Sequence, residues 1–133
     1  MIEYLSSIEG VSENHLNGFF VGWKSAPTAA TLLKILQGSN HVVLAIDEET
    51  RNVVGFVTAL SDGVLSAYLP LLEVLPAYQH KGIGSELVSR MLKQLGDLYM
   101  IDLSCDEDMQ PFYEKFGMHK SHGMMLRNYG QNV

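Results

Sequence analysis

The chain has 133 residues, 47% of them apolar, which suits one domain with a single buried core. Nine Lys and Arg against fifteen Asp and Glu give a net charge of −6, which argues against nucleic acid as a partner. The charge mildly favours a cationic small molecule, although ordinary solubility is the simpler explanation. The apolar runs are too short to span a bilayer, no signal peptide opens the chain, and the single Cys105 suits a reducing compartment. We therefore expect a cytoplasmic protein.

The N-terminal third predicts a short strand and two helices. Residues 1–5 are predicted as the strand and residues 11–18 as a weak helix. The second helix is predicted over residues 27–37, with Gly38 as its stop. Its buried stripe is expected to consist of Ala30, Leu33 and Leu36. The aromatic run FFVGW, residues 19–23, lies between the two helices.

The middle of the chain predicts a mixed sheet. Two β-branched runs, residues 41–46 and 53–60, flank a charged loop and form a hairpin. A long strand is predicted over residues 64–74, although Pro70 removes one donor from its hydrogen-bond ladder. Residues 98–103 form the next strand, which we expect to run parallel to the long one because a helix connects the two. This order predicts an α/β fold with a mixed sheet rather than a doubly wound one.

The chain is organised around residues 69–95, an apolar strand followed by a glycine turn and an amphipathic helix. The apolar stripe of the helix comprises Ile83, Leu87, Val88, Met91, Leu92 and Leu95. Glu86 and Arg90 lie on the opposite face in the favourable order. Gly82 and Gly84 stand where the turn enters the helix, so another group can approach the main chain closely. Unpaired N–H groups and the helix dipole make such a turn a ready site for phosphate.

The C-terminal part predicts a short helix and a hairpin. Residues 109–116 form the helix, in which Phe112 and Phe116 are four apart and should be buried together. Residues 119–129 are predicted to form a hairpin whose apolar segment, residues 124–126, packs on the sheet.

Three stretches together resemble a known family. Gln79-His80-Lys81-Gly82-Ile83-Gly84 resembles the Q/R-x-x-G-x-G/A signature of the GNAT family of N-acetyltransferases, which cradles the pyrophosphate of acetyl-coenzyme A. Val74-Leu75-Pro76 precedes the signature at the family's usual distance. Residues 112–118, FYEKFGM, follow where the family has its F-Y-x-x-x-G-F element. The chain resembles a small, stand-alone member of bacterial type along nearly its whole length.

The resemblance implies a fold and an activity. The fold would be one acetyltransferase domain over residues 1–133, with a mostly antiparallel sheet splayed between its two central strands and flanked by about four helices. The activity would be direct acetyl transfer from acetyl-coenzyme A to a primary amine of a small molecule, without a metal. Two alternatives stay open: acetylation of a protein or peptide amine, and a regulatory module that binds acyl-coenzyme A without turnover. Family members often dimerise, so we also consider a homodimer formed through the C-terminal hairpin.

The resemblance also implies which residues meet the donor. These are Leu72, Val74, Leu75, Gln79, His80, Lys81, Gly82, Ile83, Gly84 and Ser85. The N–H near Val74 is the implied oxyanion donor. Tyr113 occupies the position of the family's tyrosine and is the implied general acid, the alternative being an ordinary helix tyrosine with a surface hydroxyl. Where the family often has an asparagine contacting the coenzyme, this chain has Asp106 and Glu107, so that contact is lost or replaced.

Glu73 is the leading candidate for the base. It interrupts an otherwise apolar strand, and an unpaired buried carboxylate is costly, so Glu73 must be solvated, paired or functional. We give equal weight to two roles for Glu73: taking the proton of the acceptor amine, and forming a salt bridge with a neighbouring element. The aromatic run 19–23 is likewise assigned either to the acceptor pocket, by resemblance, or to the core. We interpret Cys105 as a buried bystander rather than a nucleophile.

Overall fold

The computed structural model describes residues 1–131; residues 132–133, the end of the predicted domain, lie outside the described part. Within it the chain forms six strands and three α-helices. The strands are β1 Ile2–Leu5, β2 His41–Asp47, β3 Val53–Ser61, β4 Ser66–Tyr68, β5 Leu72–Val74 and β6 Met100–Asp102. The helices are α1 Ala29–Gly38, α2 Ile83–Leu95 and α3 Gln110–Glu114. The helix predicted over residues 11–18 is absent from the described part, which therefore has one helix fewer than expected. These residues form only a 3-10 turn, Glu13–His15, because the segment is rich in poor helix formers.

The strands form one mixed sheet in the order β1-β2-β3-β4-β6, with β5 also paired to β3. Neighbouring strands are antiparallel except β4 and β6, which are parallel. The predicted hairpin of β2 and β3 and the predicted parallel pair are both confirmed. The fold is therefore the mixed α/β arrangement expected from the order of the patterns.

The long strand predicted over residues 64–74 is interrupted, and this interruption positions the site. Residues 69–71 lie outside both strands, because Pro70 has no N–H to donate, and they separate β4 from β5. The pairing of β4 with β6 ends where the Leu69 N–H donates to the Asp102 carbonyl at 3.0 Å. Beyond that point β5 stays paired with β3, while the described chain after β6 forms no strand beside it. The sheet is therefore splayed, as the resemblance implied.

The two faces of the sheet carry separate parts of the core. On one face α2 packs its predicted stripe against β2 and β3; every member of that stripe is buried except Leu92, which is half-buried. The outward face of α2 carries the predicted ion pair, with Arg90 Nε 2.8 Å from Glu86 Oε2. The other face holds α1 and the N-terminal segment around Phe56, with Leu16, Leu32 and Leu36 buried beside it.

Helix α1 begins two residues later than predicted. Thr28 caps it, accepting a hydrogen bond from the Thr31 N–H at 3.1 Å, so Pro27 lies outside the helix. The buried positions are Leu32 and Leu36, whereas Ala30, predicted to be buried, is exposed. The capping threonine, rather than the proline, sets where the helix starts.

The predicted C-terminal hairpin is wrong. Residues 115–131 contain no strand, and the apolar segment 124–126 is exposed rather than packed on the sheet. The physical reason is that this segment forms no ladder with β6, so its side chains have no sheet surface beneath them.

No helix among residues 1–131 is long and apolar enough to cross a membrane.

Candidate active site

The turn before α2 presents free main-chain N–H groups. Gly82 occupies the N-cap position with φ +82°, a left-handed conformation that glycine adopts without steric cost. His80, two residues earlier, is also left-handed, with φ +64°. Glu86 N–H is the first to bond inside the helix, to the Gly82 carbonyl at 3.1 Å. Because Gly82 has no side chain to cap the helix, the N–H groups of residues 83–85 remain available to an anion.

Gly84 allows three elements to meet at this turn. A Cβ on Gly84 would lie 3.7 Å from the ring of Phe112 and 3.9 Å from a methyl of Val74. The glycine therefore brings α3 and the end of β5 against the start of α2. Phe112 also stacks edge-on with Phe116 at 5.5 Å between ring centroids, so the predicted contact is confirmed, but both rings are half-buried rather than buried. Tyr113 follows Phe112 directly, so the same packing holds the helical turn that carries the tyrosine against the start of α2.

Strand β5 turns unpaired main-chain groups toward the gap in the sheet. The Thr58 N–H donates to the Leu71 carbonyl at 3.1 Å, and the Leu75 N–H donates to the Val54 carbonyl at 2.8 Å. Alternation along the strand then points the main-chain groups of Leu72 and Val74 away from β3. The side-chain amide of Gln79 donates to the Val74 carbonyl at 2.9 Å. The Val74 N–H remains a free donor at the gap among the described residues.

Tyr113 keeps its proton at neutral pH. Burial, and to a smaller extent the nearby Cys105, raise the pKa of Tyr113 from 10.0 to about 12. The phenol lines a cleft of about 1130 Å³ together with Ser104 and Cys105. Contrary to the sequence interpretation, Cys105 is exposed, because it lies just beyond the end of β6. Desolvation and the carboxylates of Asp106 and Asp108 raise the pKa of its thiol, which disfavours the nucleophilic thiolate.

Glu73 is bound by main-chain donors of the N-terminal segment. Its Oε1 accepts from the Phe20 N–H at 2.8 Å and its Oε2 from the Val21 N–H at 3.2 Å. The salt bridge considered from the sequence is not formed within the described chain. Phe20 is left-handed, with φ +63°, which costs a residue with a side chain about 1–2 kcal/mol. Hydrogen bonds to a charged group contribute about 1.5–3 kcal/mol, enough to hold this turn against β5.

The aromatic run divides between the core and the surface. Phe19 and Phe20 are buried, and Phe19 packs edge-on against Phe56 with ring centroids 5.0 Å apart. Trp23 stacks on Phe20 at 4.9 Å and is half exposed. The core interpretation is therefore confirmed for the two phenylalanines, while Trp23 is left on the surface beside the turn that Glu73 holds. No local pattern in the sequence could reveal the hydrogen bond between Glu73 and the Phe20 N–H, since the two residues are 53 positions apart.

Two residues of the signature, one of them the cationic Lys81, are solvent-exposed. His80 and Lys81 both lie on the surface of the turn, and the Lys81 ammonium is 5.7 Å from the centre of the Tyr78 ring. Tyr78 is itself fixed, because its hydroxyl donates to Asp47 Oδ2 at 2.6 Å. This places a cation beside the free N–H groups of the helix start.

Comparison with known proteins agrees with this geometry. The model of the acetyltransferase (GNAT) family matches residues 8–118. The chain is 28% identical to the uncharacterised N-acetyltransferase ycf52 of Pyropia yezoensis, over 88% of this chain and 70% of that protein. It superposes with a TM-score of 0.94 on a Deinococcus radiodurans R1 protein provisionally named an acetyltransferase, at 49% identity over 97% of this chain and 90% of that one.

A second solved structure has a similar fold. The GNAT-family acetyltransferase SP0256 of Streptococcus pneumoniae TIGR4 superposes with a TM-score of 0.74 at 29% identity, over 96% of this chain and 98% of that one. The glycine turn, the splayed strands and the tyrosine after Phe112 thus occur in a chain matched by the family model over most of its length. The protein belongs to the GNAT family of acetyltransferases.

Proposed function

We propose that the protein transfers the acetyl group of acetyl-coenzyme A to a primary amine of a small molecule. The observation that carries the proposal is the gap beside β5: Leu72 and Val74 turn main-chain groups into it, next to the free N–H groups at the start of α2. A coenzyme with a diphosphate, a chain of amides and a thioester matches that sequence of polar groups.

The diphosphate would lie at the glycine turn. The N–H groups of residues 83–85 and the positive end of the α2 dipole favour an anion there. His80 and Lys81 add donors from the exposed side of the same turn. Gln79 acts differently, since its amide is bonded to the Val74 carbonyl and so orients the end of β5 toward the ligand.

The amides of the pantetheine arm would pair with β5. Main-chain groups need hydrogen-bond partners, and those of Leu72 and Val74 face the gap without a neighbouring strand in the described chain. An amide-containing arm supplies the missing partners in the manner of an added strand. The thioester carbonyl would then reach the Val74 N–H, which is the proposed donor to the oxyanion. Leu75, at the end of this segment, packs beneath Gly18.

The transfer forms a carbon–nitrogen bond and breaks a carbon–sulfur bond. A primary amine has a reference pKa of about 10, so it arrives as an ammonium and must lose a proton before it attacks the thioester carbon. We assign that proton to Glu73, directly or through a water. Each carboxylate oxygen has a second lone pair beyond the one bonded to Phe20 or Val21. The same carboxylate also attracts the cationic acceptor.

Tyr113 is assigned to the departing sulfur. Its phenol remains protonated because its pKa is about 12. A thiol has a reference pKa of about 8.5, so complete proton transfer from this phenol to a free thiolate is unfavourable. The role that fits is a hydrogen bond donated to the sulfur as negative charge develops on it, with the thiolate taking its final proton from solvent.

The test is release of free coenzyme A thiol from acetyl-coenzyme A in the presence of a panel of small primary amines. Amine-dependent release with at least one acceptor supports the proposal. Tight binding of the coenzyme without release for any amine would instead support a regulatory binding module. Release only with peptides that carry a free N-terminus or lysine would reassign the acceptor to a macromolecule.

The reducing cytoplasm suits the exposed Cys105 and is the proposed location.

A further inference from the structure

Residues 18–23, the Phe20 turn, contain three left-handed positions in a short stretch. Gly18, Phe20 and Gly22 have φ values of +93°, +63° and +84°. Glycine adopts this conformation without steric cost, whereas the Cβ of Phe20 makes it unfavourable there. A residue keeps such a conformation only where its surroundings hold it. The Phe20 turn therefore depends on contacts from outside itself.

The Glu73 carboxylate supplies polar contacts of this kind. Its two oxygens accept hydrogen bonds from the Phe20 and Val21 N–H groups at 2.8 and 3.2 Å. Hydrogen bonds to an ionised acceptor are roughly twice as strong as those between neutral groups. Each bond uses a different oxygen, so a proton on either oxygen would remove or weaken one bond and would take the charge from the other. The closed position of the turn therefore depends on the ionisation of Glu73.

The segments packed around Glu73 contain no other ionisable side chain. This holds for residues 16–23, for β3 and for residues 69–75, in which Glu73 is the single charged residue. Neither of the ion pairs found among residues 1–131 involves Glu73. The ionisable residues that flank the turn segment, or belong to α1 on the same face of the sheet, are basic: His15, Lys24 and Lys34. A change of charge beneath the turn at acid pH is therefore a change at Glu73.

The turn is anchored at one end and loosely packed at the other. Phe19 is buried in the core. Behind Phe20 lies a cavity of about 60 Å³ that the start of α1 also lines. On the outer side, Val21 and Trp23 are 58% and 52% exposed. Loss of the bonds to Glu73 would therefore free residues 20–23 to move while Phe19 stays in place.

We propose that the Phe20 turn is a movable wall of the acceptor site, which the charge of Glu73 holds closed and a proton on Glu73 releases. Its part in turnover rests on the proposed function: an N–H bond of the acceptor ammonium breaks, and the proton binds one oxygen of Glu73. That oxygen no longer accepts from the turn, and Phe20 relaxes from its left-handed conformation. The wall opens as the amide product forms, and it closes again after Glu73 has passed the proton to solvent.

Trp23 reports the position of the turn, because it is the single tryptophan of the chain and stacks edge-on against Phe20 at 4.9 Å. Acrylamide quenching of its fluorescence measures how exposed the indole is. Glu73→Gln represents the protonated carboxyl, since an amide has one acceptor oxygen and a donor group beside it. At neutral pH this variant should raise the quenching constant about twofold, as the 52% exposed indole becomes nearly fully exposed.

The matched control is Glu86→Gln, which neutralises a carboxylate on the outer face of α2, away from the turn. Its quenching constant should equal that of the wild type. Acid should open the wild-type turn without any substitution. As the pH falls from about 7 to about 3.5, where carboxyls take up protons, wild-type quenching should rise to the level of Glu73→Gln. Far-ultraviolet circular dichroism should stay constant over the same range, and Glu73→Gln itself should show no rise.

Three results would overturn the proposal. They are wild-type quenching in Glu73→Gln at neutral pH, a fully exposed indole in the wild type at neutral pH, and an acid rise that persists in Glu73→Gln. These measurements use neither donor nor acceptor, so their failure is distinct from a failure of acetyl transfer. In a single turnover with a competent amine, Trp23 fluorescence should change at the rate of thiol release. A change on binding of the amine without the donor would overturn the part of the turn in turnover.

Discussion

The two sides of β5 are built in different ways. On the side that we propose for the donor, the conformation of the glycine turn at residues 79–84 follows from its own residues. On the side that we propose for the acceptor, the position of the Phe20 turn depends on Glu73, which accepts hydrogen bonds from residues more than fifty positions away. The glycine turn is thus specified locally, whereas the Phe20 turn is held by hydrogen bonds to a distant residue.

This difference bears on which substitutions would alter the donor site and which would alter the acceptor site under the proposed function. A locally specified donor site survives changes elsewhere in the chain, because its glycines and helix start carry the needed geometry. The proposed acceptor wall is an irregular loop that a few hydrogen bonds hold in place. Its sequence can therefore change without disturbing the donor site. We therefore expect substitutions on the two sides of β5 to separate into effects on donor handling and effects on the acceptor.

The largest effect is expected for Tyr113→Phe on the donor side. Loss of the phenol removes the hydrogen bond to the departing sulfur, so kcat should fall about a hundredfold, at the lower end for a proton donor. The dissociation constant for acetyl-coenzyme A should stay nearly unchanged. Steady-state kinetics and calorimetry measure the two quantities, with Tyr99→Phe, an exposed hydroxyl, as the control. An unaltered kcat would remove Tyr113 from the chemistry.

On the acceptor side, Glu73→Gln should lower kcat/KM about tenfold and destabilise the fold by about 1–3 kcal/mol, because an amide cannot accept both main-chain N–H groups. If Glu73 also takes the proton of the amine, the rate loss should be largest at low pH, where free amine is scarce. Glu86→Gln, which removes an exposed carboxylate, is the control. A rate loss equal at every pH would assign Glu73 to holding the Phe20 turn alone.

Gly82→Ala should weaken donor binding about fivefold. Alanine in the left-handed region costs about 1–2 kcal/mol, and relief of that strain would turn the N–H groups at the helix start. Gly96→Ala is the matched control, since Gly96 ends the same helix with φ +67°. Both variants should lose stability, but only Gly82→Ala should lose coenzyme affinity in calorimetry. Equal affinity losses would show that the effect comes from helix stability and not from the turn.

The smallest effect is an alkaline loss of stability. Since folding raises the pKa of Tyr113 from 10.0 to about 12, the unfolded chain releases this proton first as the pH rises. The stability that the protonated Tyr113 contributes to the fold is therefore fully present below pH 10 and is lost as the pH rises toward 12. Denaturant unfolding between these values should show a steeper decline for the wild type than for Tyr113→Phe. Parallel declines would mean that the phenol is as solvated in the folded protein as in the unfolded chain.

The sequence predicted local features better than long-range ones. The stripe of α2, the β2–β3 hairpin and the turn at Gly82 follow from periodicity and residue type, and the structure contains all three. The break at residues 69–71 was signalled only by Pro70, whose effect depends on which strand lies beside it. The hydrogen bonds that Glu73 accepts from the Phe20 turn correspond to no local pattern in the sequence.

Two further errors have different origins. The C-terminal hairpin was inferred from apolar residues 124–126, but an apolar run does not specify its pairing partner, and residues 115–131 contain no strand. The shift at the start of α1 arose because Thr28 competes with Pro27 for the first turn, and the side-chain cap decided it. Interactions that join distant segments, or separate chains, are the part that composition and spacing do not contain.

The central claim is that the gap beside β5 receives the donor, and amide hydrogen exchange along this strand tests it most directly. In the free protein, the N–H groups of Leu72 and Val74 should exchange quickly while that of Glu73, which faces β3, is protected. Saturating acetyl-coenzyme A should slow exchange at Leu72 or Val74 and leave Glu73 unchanged. If both amides are already protected in the free protein, or if the coenzyme protects neither, the gap is not the donor site.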